Sequence, residues 1–147
     1  MITDPTALQS ARDAWEFVRS SRNVIVGNCN VATMVVGFNQ ARIRDLCFNL
    51  LLASAFSVVE DVLRQLRDEG KFTGKDNRLV PLMNNSRSVL PWVDWTLVDA
   101  GRNDRNQSVH DRTYLAHVKC RDYIAAIERE LVAWGVLTST TPDLWHW

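Results

Sequence analysis

Residues 39–69 run without a glycine or proline, and Ile43, Leu46, Leu50, Val58, Val62 and Leu66 recur within them near the helical period. The pattern predicts a long amphipathic helix ending at Gly70, whose apolar side other elements must cover. Leu46 to Val59 carries no charge, yet it is too short to span a bilayer and reads as the inner side of a core helix. No membrane is expected among the partners. Everything else in the chain has to be arranged around this element.

The flanking segments read mostly as helices too. Thr3-Asp4-Pro5 supplies a cap and a first-turn proline, and Leu8, Ala11, Trp15 and Val18 fall on one face, predicting a helix over residues 5–20. Val24-Ile25-Val26 and Val31 to Val36, rich in β-branched residues and separated by Gly27-Asn28-Cys29-Asn30, predict a short β-hairpin near residues 22–37, with an irregular connection as the alternative. Leu79 to Leu90 predicts a short helix interrupted around Pro81 and stopped before Pro91, and Pro91 opens another that runs toward Gly101. The last helix is expected from near Asp111 to Gly135, with Leu115, Val118, Tyr123, Ile127, Leu131 and Trp134 on one face. The sum is an all-α, up-and-down helical bundle of about four to five helices, a single domain over residues 1–147.

Composition limits the classes of function. Apolar residues make up 46 % of the chain and charged residues 23 %, so it can fold around one core. Net charge is zero and the pI about 6.8, so no whole-molecule field would gather a polyanion and any nucleic-acid binding must be local. Positive charge is carried by 14 arginines against 3 lysines, a bias that suits bidentate phosphate contacts and that GC-rich coding would also produce. Cys29, Cys47 and Cys120 are odd in number and far apart, which argues for reduced thiols rather than disulfides or a thiolate metal site. Met1 to Pro5 lacks a basic region followed by an apolar run, so a cytoplasmic location is expected.

Arg105-Asn106-Gln107-Ser108-Val109-His110 stands between two helical segments, a guanidinium and an imidazole five residues apart. Arginine followed after four to six residues by histidine is a weak pattern, since Arg112 and His117 satisfy it as well. Asparagine directly after the arginine is more selective, and only Arg105-Asn106 with His110 meets that form. This stretch resembles the Arg-Asn-x-x-x-His signature of the HEPN domains, small all-α proteins, many of them metal-independent RNA endonucleases of toxin-antitoxin and phage-defence systems. The resemblance covers residues 39–135 and implies a homodimer in which two motifs line one cleft.

The chemistry also follows from the residue types. Cleavage of RNA by its 2′-hydroxyl needs proton transfer and positive charge at the phosphorane. His110 can transfer protons near neutral pH, and Arg105, which stays protonated, can only hold charge. His110 and Arg105 are therefore the expected catalytic pair, with Asn106, Arg102 and Arg112 as candidate RNA contacts. In one HEPN subfamily a tyrosine two residues beyond the histidine is modified by a partner enzyme. Arg112 stands there instead and Tyr114 comes two residues later, so an antitoxin of another type is the open possibility. The opposite expectation is a charge-balanced surface loop, in which Asp99, Asp104 and Asp111 neutralise Arg102, Arg105 and Arg112. In that case the chain is a non-catalytic helical interaction or RNA-binding module.

No metal and no cofactor are expected. His110 and His117 lack the spacing of a zinc helix, and there is no glycine-rich phosphate loop or nucleophile elbow. Glu60 and Asp61 are expected to turn toward solvent, Trp15, Trp92, Trp95 and Trp134 to lie in the core or at an interface, and Trp145-His146-Trp147 to dock on the body.

Overall fold

The structure, a computed structural model, describes residues 1–36 and 40–145, with the backbone alone for residues 29, 32–36, 40 and 41. It is a helical bundle: α1 (Pro5–Val36), α2 (Gln40–Asp68), α3 (Leu79–Ser86), α4 (Trp95–His110) and α5 (His117–Ala133), closed by a 3₁₀ turn over Pro142–Trp145. No strand occurs among the described residues.

α2 is the central element. It packs against α1, α3, α4 and α5 and buries Phe48, Leu51, Leu52, Ala55, Phe56, Val59, Val62, Leu63 and Leu66. Its end follows the sequence signal. The Gly70 N–H bonds Arg67 O and the Lys71 N–H bonds Leu66 O, with Gly70 at φ +76°, where a side chain would be strained. By length and composition α2 is the one described helix apolar enough to cross a membrane, and more than half of its most apolar window is buried within the bundle.

The expected hairpin does not form. Residues 22–36 continue α1, while residue 37 lies outside the described residues. β-branched runs favour strands only where a pleated neighbour is present, and here α2 lies alongside instead. Ile25 packs on the core from α1, whereas Val24 and Val31 face solvent. The start of α1 is as read from the sequence, with Asp4 Oδ1 accepting the N–H groups of Thr6 (2.8 Å) and Ala7 (3.3 Å).

α4 departs from expectation at both ends. It begins at Trp95, four residues after Pro91, with the Asp94 carboxylate accepting the Leu97 N–H at 2.9 Å. The buried carboxylate of Glu130 on α5 takes the preceding Val93 and Asp94 N–H groups at 2.7 Å each, which sets where the helix can start. α4 then runs through Gly101, which is buried against Tyr123, and ends only at His110. α5 accordingly starts at His117 and not near Asp111.

Candidate functional site

The motif occupies the last turns of α4 rather than a loop between helices. That placement decides which side chains can meet. At 3.6 residues per turn, Arg105 and His110 are about 140° apart around the helix axis. Arg105 turns toward α2 and lines a groove of about 350 Å³ with Leu46, Asn49, Leu50 and Ala53 of α2, Ser108 and Val109 of α4, and Arg112, Thr113 and Tyr114 of the connection that follows. His110 is not among the lining residues. Its side chain is 85 % exposed, and its Nδ1 lies 3.3 Å from Asp111 Oδ1. Within one copy, the expected catalytic pair therefore does not converge on one point.

Of the aspartates expected to neutralise this stretch, Asp99 does pair with Arg102, whereas Asp104 and Asp111 are engaged away from Arg105 and Arg112. Asp104 accepts the Tyr123 hydroxyl at 2.6 Å and lies 3.3 Å from Lys119 Nζ. Those bonds, Tyr123 first, hold its carboxyl below the ordinary range, and burial with the Asp104 contact pushes the Tyr123 phenol up to about 12. Asp111 accepts the Gln107 amide at 2.9 Å on both oxygens, and this bond, ahead of the His110 contact, lowers its carboxyl as well. Among the described residues neither Arg105 nor Arg112 has a carboxylate within ion-pair distance. Two guanidinium groups that line one groove without carboxylate partners have the chemistry to hold an anion.

The remaining candidates separate. Arg102, the expected RNA contact, is tied to Asp99 at 2.8 Å and to Asn103 Oδ1 at 2.8 Å, is only 12 % exposed, and lies outside the groove lining. Asn106 is exposed and lies outside the groove lining. Glu60 and Asp61 are both bound by Arg64, at 2.7 and 2.8 Å, and so share one guanidinium on the surface of α2. Cys120 is fully buried, and burial ahead of the Asp45 charge pushes its thiol up to about 12, which makes it inert as a nucleophile. Among the described residues no three of His, Cys, Asp and Glu converge in a way that would hold a metal.

Arg112 has an unusual backbone. The Thr113 N–H bonds Ser108 O and the Arg112 N–H bonds Val109 O, the same cap that Gly70 makes after α2, yet the left-handed position is filled by arginine at φ +55°. Glycine there would relieve about 1 kcal/mol of strain. Arg112→Gly is accordingly expected to raise stability by roughly that amount, which chemical denaturation can measure. A fall in stability would mean that the arginine side chain contributes packing at this position.

Sequence reasoning missed Asn49, Ala53 and Val109, named Tyr114 without placing it in a groove, and put Leu46 and Leu50 on the covered apolar side of the helix, whereas both are exposed on the groove floor. One signal was present: Leu46, Leu50 and Ala53 recur at helical spacing but lie beside the buried stripe, and Leu46, Leu50, Val109 and Tyr114 remain exposed in the folded chain. Comparison with protein-family models, with curated proteins and with solved structures finds no match to this chain.

Proposed function

We propose that this protein binds RNA at the groove between α2 and the end of α4, and that it cleaves RNA, without a metal, when two copies pair. The observation that carries the reading is the presence of Arg105 and Arg112 in one groove without carboxylate partners, beside exposed Tyr114. Arginines grip phosphate oxygens and an exposed tyrosine offers a face for an unpaired base. The resemblance of Arg105-Asn106 and His110 to the HEPN signature points the same way, toward toxin or defence ribonucleases.

The divergence of about 140° supports a division of the two catalytic roles between different copies. Arg105 of one copy holds the phosphate, and His110 of the second transfers the proton. In the tautomer whose proton is on Nδ1, facing Asp111 Oδ1 at 3.3 Å, Nε2 is left to accept the proton of the attacking 2′-hydroxyl. The new P–O2′ bond forms as the P–O5′ bond breaks, and water protonates the departing oxygen, leaving a cyclic phosphate and a 5′-hydroxyl.

The test is complementation. Arg105→Ala and His110→Ala should each lose about 10²- to 10⁴-fold in cleavage of a labelled RNA. An equimolar mixture, unfolded and refolded together, should recover about a quarter of wild-type activity, since half of the pairs are mixed and each mixed pair rebuilds one intact site of two. Equal cleavage by wild type and His110→Ala would end the nuclease reading. The second reading, a non-catalytic interaction module, is favoured by the apolar floor of Leu46, Leu50, Ala53 and Val109. It predicts binding that Arg105→Ala weakens, with no cleavage by any variant.

A further inference from the structure

The connection between α4 and α5 supplies Arg112, Thr113 and Tyr114 to the groove, and its residues 111–114 are exposed, so the core does not hold it. Polar ties hold it at both ends. The left-handed cap at Arg112 secures the α4 side. On the other side α2 takes over. Asn49 Nδ2 donates to Leu115 O at 2.8 Å and Asn49 Oδ1 accepts the Leu115 N–H at 3.2 Å, so both backbone groups of that residue are gripped. One turn earlier, Asp45 Oδ1 accepts the His117 N–H at 2.7 Å and lies 2.9 Å from His117 Nδ1.

The residue preceding α5, Ala116, offers no side-chain cap, so Asp45 supplies from α2 the carboxylate that the start of α5 lacks locally. A backbone N–H alone would need only one acceptor. His117 adds a second strut from its ring, which also rests on Phe48 with centroids 6.1 Å apart. Asp45 and Asn49 belong to the same turns of α2 as the groove floor residues Leu46 and Leu50.

We propose that Asp45 and His117 are positioning residues for the groove: by tying the α4–α5 connection to the helix that forms its floor, they keep Arg112 beside Arg105. This rests on the reading of the groove as an RNA-phosphate site. It goes beyond that reading by assigning a role to two residues that touch no substrate.

The probe is a fluorescein-labelled oligouridine, titrated at several salt concentrations. Losing one phosphate contact lowers the slope of log affinity against log salt by about one. Arg112→Ala should show that loss. Asp45→Ala should show it too, and the double variant should be no weaker than either single one, because both remove the same contact. Asp45→Asn, which keeps an Oδ1 acceptor, should restore the slope. His117→Phe, which keeps the ring on Phe48 but not Nδ1, should lose part of it and serves if Asp45→Ala does not fold. A purely structural role would lower the melting temperature and leave the slope unchanged, and that result overturns the proposal. Trypsin cleavage after Arg112 gives a readout without RNA, and Asp45→Ala should be cut faster than wild type. Should wild type fail to bind oligouridine, the groove reading is lost. The cleavage rate then decides the tether by itself, and an unchanged rate refutes it.

Discussion

Glu128→Ala is expected to cost about 3 to 5 kcal/mol of folding free energy, the effect of leaving a buried ion pair with one member. Glu128 is 1 % exposed, and its carboxylate on α5 gathers two other parts of the chain, α1 and the C-terminal segment. From α1 it accepts Trp15 Nε1 at 3.1 Å and Arg19 Nη2 at 2.7 Å. From the C-terminal segment it accepts the Thr141 N–H at 3.0 Å and Trp145 Nε1 at 3.3 Å. Burial alone pushes the carboxyl upward, but the bonds from Trp15, Arg19 and Thr141 outweigh it, and the group titrates below its ordinary range. The stability this contributes is complete above the unfolded carboxylate pKa and fades as pH falls below it.

Removing the carboxylate strands the two indole N–H groups and leaves the Arg19 guanidinium only Glu16 at 3.7 Å and Ser139 O at 3.3 Å, and Trp15 and Trp145, now packed edge to face at 5.9 Å, lose their common anchor. A thermal melt at neutral pH should fall by about 10 °C or more. The deficit between variant and wild type should shrink as pH is lowered through the carboxylate range. A deficit below about 1 kcal/mol, or one independent of pH, would mean that water replaces the network at little cost.

Gly101→Val is expected to cost about 2 to 4 kcal/mol through overpacking and a lost hydrogen bond. A Cβ at Gly101 would stand 2.7 Å from Tyr123 Cγ and 2.9 Å from its Cδ1, atoms of a ring base that cannot swing aside without moving α5. The same ring carries the hydroxyl that holds Asp104, so displacing it also frees the carboxylate one residue before Arg105. Gly27→Ala is the matched control. A Cβ there meets nothing within 4 Å, and alanine should gain about 1 kcal/mol from helix propensity alone. Opposite signs in urea midpoints are the expected outcome. If Gly101→Val proves neutral, α4 and α5 can separate at little cost and the close contact is not a constraint.

Legibility in the sequence followed the range of the interactions. The end of α2 was readable because periodicity and the Gly70 stop are local, and the Asp4 cap of α1 was readable for the same reason. The hairpin reading failed on residues 22–36 because β-branched side chains express a weak preference that a neighbouring helix overrides. Gly101 was read as a stop when it is a contact surface, since whether a glycine ends a helix or admits a tyrosine depends on what lies opposite. At the site, Arg105 and Arg112 were identifiable by type, but their shared groove was not, because α2 contributes four of its ten lining residues from more than fifty residues away in sequence.

By itself the sequence determined that this chain is a helical bundle organised on one long apolar helix, and it marked the arginine and histidine residues worth watching. Only the tertiary structure decided that α4 continues to His110, and that extension turns Arg105 and His110 away from each other and puts Arg112 into the groove instead. The reason is physical. Helical periodicity and capping act over a few residues and are written locally, whereas the Glu130 anchor, the Tyr123 contact and the Asp45–His117 tether join groups that become neighbours only after folding.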